Sequence, residues 1–192
     1  MNKSRLEAFS DGVIAIIITI MVIEMRIPHG ENMLALMPVL PVFLSYVMSF
    51  IYVGIYWNNH HNMLHASGDI NGAVLWANLH LLFWLSLFPF VTGWMGENRL
   101  AIAPTELYGA VLLMAAMAYF ILQHTIIAAG AQVLRRAVGR DWKGKASPML
   151  YIFGILSAQW SPTFSKAVYA AVALLWLVPD RRIEKTLMQS KD

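Results

Sequence analysis

Polar and apolar positions alternate in long blocks along this chain. Apolar runs fall near residues 7–27, 35–58, 71–95, 106–130, 147–161 and 163–179. Turn and cap residues divide the first four: Pro28, His29 and Gly30; Ser67, Gly68 and Asp69; Gly96, Glu97 and Asn98. At 1.5 Å of rise per residue, ~20 apolar residues cross the ~30 Å hydrocarbon core of a bilayer. The last two runs are shorter. Joined as one helix over 147–179, however, they would reach ~50 Å, too long for one crossing. Ser161 and Pro162 stand where a tight turn would separate them. The pattern predicts an all-α, polytopic membrane protein with six transmembrane helices, a single domain over residues 1–192.

Composition agrees. Of 192 residues, 58% are hydrophobic and 13% charged, and a soluble domain would carry about twice that charged share. Cysteine is absent, which removes disulfides, thiolate catalysis and cysteine metal sites together. A net charge of +3 could suggest nucleic acid, but the basic residues gather at helix ends, where membrane topology accounts for them. No nucleic-acid partner is expected, and membrane lipid is. No cleavable signal peptide is expected either: the first run is too long, and no small-residue cleavage site precedes Arg26 and Pro28.

Charge bookkeeping fixes the expected topology. With six spans and a cytosolic N-terminus, the inside holds Lys3, Arg5, Arg135, Arg136, Arg140, Lys143, Lys145, Arg181, Arg182, Lys185 and Lys191. The outside holds Arg26, Arg99 and Lys166, a division of eleven against three. That is the asymmetry of the positive-inside rule, with both termini cytosolic. Five spans would put the Arg181–Lys185 cluster outside.

The first run is the most informative. A polar opening of Arg5, Glu7, Ser10 and Asp11 leads into apolar residues, with Thr19 within and Glu24 at the far end. A charge one or two turns inside a bilayer costs several kcal/mol unless paired or wetted, so Asp11 marks a candidate functional site. Other polar residues share its depth. Trp57, Asn58, His60 and His61 close the second run; Trp76, Asn78 and His80 open the third. The expectation is a hydrogen-bonded belt that orients helix one, with Arg5 pairing Asp11 or Glu7. Ordinary interhelical hydrogen bonding is the plainer alternative.

Ile16, Ile20, Ile23 and Ile27 recur at intervals of four, three and four residues and so share one helical face. By pattern alone this face meets lipid or neighbouring helices. Copies of helix one around a symmetry axis would instead stack isoleucine rings into a hydrophobic constriction, able to gate by dewetting. That requires a closed cyclic oligomer. Glu24 would then raise the local cation concentration at the outer mouth, unless it is simply a solvated helix end.

The sequence Arg5-x-x-x-Phe9-Ser10-Asp11 at the head of the first span resembles the signature of the transmembrane protein 175 family. The likeness continues through Gly12 to Thr19, and more loosely through Trp57–His61 and Trp76–Pro89, about the first half of the chain. It implies a potassium-permeable channel of the prokaryotic single-repeat form in the plasma membrane, built as a homotetramer around helix one. It further implies that Ile16, Ile20 and Ile23 form the pore constriction and that Thr19 lines the conduit. The permeating ions would be potassium and other monovalent cations, with no cofactor and no resident metal.

Competing readings remain. The backbone-carbonyl filter TVGYG of common tetrameric potassium channels does not occur, so selectivity would rest on side chains. His60, His61 and His65 could hold a metal in a membrane enzyme, but such enzymes need several histidine boxes and only six histidines exist. A cation- or proton-coupled secondary transporter is the nearer rival, with Pro38, Pro41 and Pro89 as candidate helix breaks.

Overall fold

The computed structural model describes residues 2–68, 70–132, 134–135 and 142–177. Seven α-helices occur among them: α1 (Lys3–Ile23), α2 (Leu40–His65), α3 (Gly72–Ser86), α4 (Phe88–Glu97), α5 (Ile102–Ala128), α6 (Trp142–Ser157) and α7 (Pro162–Leu177). A 3-10 turn over Met33–Leu36 precedes α2. The helices start where local chemistry says they should. Asn2, Asn32 and Asn71 each accept a hydrogen bond from a backbone N–H at the start of their helix or turn, satisfying donors that lack intrahelical partners. Pro41 occupies the first turn of α2, where its missing N–H costs nothing.

Taken as one segment, α3 and α4 cover Gly72–Glu97, which leaves six helical segments among the described residues, the number expected. Four of the six are long and apolar enough to traverse a membrane; α6 and α7 have 16 residues each. The third crossing is broken at Leu87, with Pro89 in the first turn of α4 and Ser86 Oγ donating to the Phe83 carbonyl at 2.7 Å. The turn between α6 and α7 falls at Ser161–Pro162, Ser161 Oγ accepting from the Phe164 N–H at 3.2 Å.

Cross-links sort the helix ends into two faces. At one, Lys3 Nζ donates to the carbonyls of His65 and Ser67, and Lys143 Nζ to that of Leu175. At the other, Arg26 pairs with Glu97 at 3.1 Å, Gln159 donates to Glu106, and Lys166 donates to the Arg99 carbonyl. Lys3, Arg5, Lys143 and Lys145 thus lie opposite Arg26, Arg99 and Lys166, the division the charge count anticipates. Arg136, Arg140, Arg181, Arg182, Lys185 and Lys191 lie outside the described residues.

The core is aromatic and hydroxylated. Tyr52, Tyr108, Tyr151 and Tyr169 are buried between α2, α5, α6 and α7. Their hydroxyls are used: Tyr52 donates to the Tyr169 carbonyl at 2.5 Å, Tyr169 to that of Thr105 at 3.3 Å, and Tyr108 bonds Ser49, which also bonds Thr92. Gly109 and Gly154 make room for the Tyr169 ring, since a Cβ at either position would stand 2.0 or 2.4 Å from it. The face of α5 from Tyr108 to Gln123 is buried within the subunit, where the Tyr108 hydroxyl bonds Ser49, a partner that lipid cannot supply.

Candidate functional site

Helix α1 packs against α2, α3 and α4. Its buried residues, Leu6, Ser10, Ile14, Ile17 and Met21, follow intervals of four, four, three and four, the stripe of a helix covered on one side. The opposite side carries the isoleucines. Ile16, Ile20 and Ile23 are 58%, 39% and 79% exposed in the single subunit; Ile27, which spacing put on the same face, is 86% exposed but lies past the end of α1 and is not on the helix. Phe9 is exposed on the same helix, as is Thr19, whose Oγ1 donates to the Ile16 carbonyl at 2.9 Å. That bond uses the hydroxyl proton and leaves the oxygen able to accept or to meet a cation.

Ile16 and Ile20 also border a cleft of about 1500 Å³ between α1, the approach to α2, and α4. Phe90 and Trp94 form its far wall, and Ser86, at the break in the third crossing, opens onto it. Glu24 caps α1 on this cleft, with its carboxylate against Gly93 of α4, and Arg26 and Glu97 close the outer rim.

At the other end of α1, a chain of hydrogen bonds joins three helices. Asn78 Nδ2 donates to Ser10 Oγ at 3.0 Å; Asn78 Oδ1 bonds His60 Nε2 at 2.6 Å; Ser10 Oγ donates to the Leu6 carbonyl at 2.9 Å. Ser10, His60 and Asn78 are 0–1% exposed. Beside this knot, Trp57 Nε1 donates to Asp11 Oδ1 at 3.0 Å. The Lys3 ammonium, by capping the carbonyl end of α2, adds a charge of the favourable sign for that helix dipole.

The belt therefore forms, with different members. Arg5 is exposed and pairs with neither Asp11 nor Glu7; among the described residues the ion pair present is Arg26–Glu97. Asp11 takes the indole instead. Asn58 is exposed and accepts only from Asn62, at a long 3.4 Å. Two residues further, a turn of ~200° along the helix brings His60, not Asn58, to the knot. His80 accepts from Trp84 within its own helix and stays apart from the knot. Glu7 is the residue the motif undervalues: its Oε1 is buried without a hydrogen-bond partner. His61 and His65 stack on each other outside, 6.2 Å between ring centres, while His60 turns inward, so the three do not converge.

Comparison with known proteins accords with this architecture. The profile described as "Endosomal/lysosomal potassium channel TMEM175" matches residues 5–89, which include α1 from Arg5 onward and the whole knot. A Chryseobacterium protein named as a potassium channel is 50% identical over 192 residues, covering 99% of this chain and 100% of that one. Another so named, from Streptomyces collinus, is 32% identical over 128 residues, 62% of each chain. The crystal structure of a lysosomal potassium-selective channel TMEM175 homolog from Chamaesiphon minutus superposes with a TM-score of 0.79 at 25% identity. It covers 93% of this chain and 97% of that one.

Proposed function

Because this chain belongs to the TMEM175 family of ion channels, we propose that it conducts potassium through a pore lined by α1 in a homotetramer. The observation that carries this reading is the exposed isoleucine face of a helix whose other face is fully packed. Rings of Ile16, Ile20 and Ile23 present no polar atom to a passing ion. Water leaves such a constriction when it narrows, and a cation that must shed its hydration shell is stopped. Ile16 is the principal constriction. Thr19 offers an oxygen between the isoleucine rings, and Glu24 concentrates cations at the outer mouth.

The knot at Ser10, His60 and Asn78, with the Trp57–Asp11 bond beside it, fixes the rotation of α1 about its axis and so decides which side chains face the pore. The protein sits in the plasma membrane of a prokaryote with both termini cytosolic. The break at Ser86–Pro89 is the feature that favours a second reading, a coupled cation transporter, because discontinuous helices build such substrate sites.

Bilayer recording of the purified protein under potassium and sodium gradients tests both. Discrete single-channel steps are expected; saturable, coupled exchange without steps would favour the transporter. Ile16→Ser should raise leak and weaken potassium over sodium discrimination. Currents unchanged by that substitution would remove Ile16 from the pore.

A further inference from the structure

On the flank of the subunit a groove of about 490 Å³ runs between α2 and α7, sharing Pro41 and Arg99 at its mouth with the α1 cleft. Leu44, Met48 and Ile51 of α2 face Ala170, Leu174 and Leu177 of α7 along it. Its mouth holds Arg99 and Lys166. Lys166 donates to the Arg99 carbonyl, which brings its ammonium to the arginine that a like charge would repel. The neighbouring acids are engaged elsewhere: Glu97 pairs with Arg26, and Glu106 accepts from Gln159. Two cations thus share one end of an apolar channel, with no acidic partner among the described residues.

From Lys166 to Leu177 the groove descends about 16 Å along α7, close to half of a ~30 Å hydrocarbon core. Trp160, exposed at the turn just above, stands at the depth where indoles favour the headgroup layer. We propose that this groove seats one acyl chain of an anionic phospholipid from the leaflet opposite the N-terminus, with the lipid phosphate held between Arg99 and Lys166. The two charges select the headgroup, and the alanine floor of α7 gives the chain room. None of Ile16, Ile20 and Ile23 lines this groove, so its fate does not decide the channel reading.

Native mass spectrometry of the full chain in mild detergent tests this. Phosphatidylglycerol and phosphatidylcholine with identical acyl chains serve as probes. Wild type should retain phosphatidylglycerol about tenfold better, and the Arg99→Gln/Lys166→Gln pair should erase that preference. Both charges are surface groups, so the fold tolerates their loss. Ala170→Phe, which fills the groove, should lower retention of both lipids. Equal retention of the two lipids by wild type, or a preference that survives the charge substitutions, would overturn the proposal. So would undiminished phosphatidylglycerol binding by Ala170→Phe, since the charges would then act without the groove. The chain has no cysteine, so Ala170→Cys gives a single reporter. A disulfide-linked dimer on oxidation would mean that a second copy covers the groove, which also overturns it.

Discussion

Removing Asn78 tests how α1 is held. Its side chain makes two buried hydrogen bonds, to Ser10 Oγ and His60 Nε2. Asn78→Leu keeps the heavy-atom count and the branching at Cγ and strips both. Each such bond contributes about 1 kcal/mol, and a buried imidazole left unpaired loses a further ~1–3 kcal/mol. The leucine regains part of this by apolar contact, leaving a net cost of about 2 kcal/mol. Ser10→Ala alone should cost about 1 kcal/mol. Because the two residues share one bond, the double variant should be less destabilised than the sum, by about 1 kcal/mol. Unfolding in graded SDS, followed by tryptophan fluorescence, measures all four proteins. Trp57→Phe serves as a contrast: it breaks only the half-exposed bond to Asp11 and should cost under about 1 kcal/mol. If Asn78→Leu lies within about 0.5 kcal/mol of wild type, or the two substitutions add, the knot does not hold α1.

Gly109→Ala should sharply lower the yield of folded protein on size-exclusion chromatography, because the new methyl would overlap the Tyr169 ring. Gly54→Ala, with nothing within 4 Å of the new methyl, should be neutral or stabilise by about 0.5–1 kcal/mol. Lys3→Met removes the cation at the carbonyl end of α2 and should lower stability by about 0.3–1 kcal/mol, read as a lower melting temperature at low salt. Glu97→Gln breaks the Arg26 pair, but both side chains are well exposed, so the melting temperature should stay within the scatter expected for a surface ion pair.

Much of the α1 face was legible because helical periodicity needs only spacing: the isoleucines share a side whatever covers the other. The partners of that helix were less so. Positions 57 to 61 are all aromatic, amide or imidazole, so no periodic signal says which of Asn58 and His60 faces inward; packing of the preceding turns sets that rotation. Arg5 drew attention as the natural partner of Asp11, yet the half-exposed Trp57 indole N–H satisfies that carboxylate without bringing up a second charge. The tyrosine core was hidden for a different reason. A membrane helix is apolar on every side, so hydropathy does not separate lipid from protein, and only tertiary partners disclose that Tyr108 and Gln123 point inward.

A helix left uncovered along one side draws part of its stability from whatever later covers that side. In the proposed tetramer this would make folding and assembly a single mass-action problem: the melting point should climb with protein concentration, and dilution should loosen α1 before it disturbs the tyrosine-filled half of the molecule.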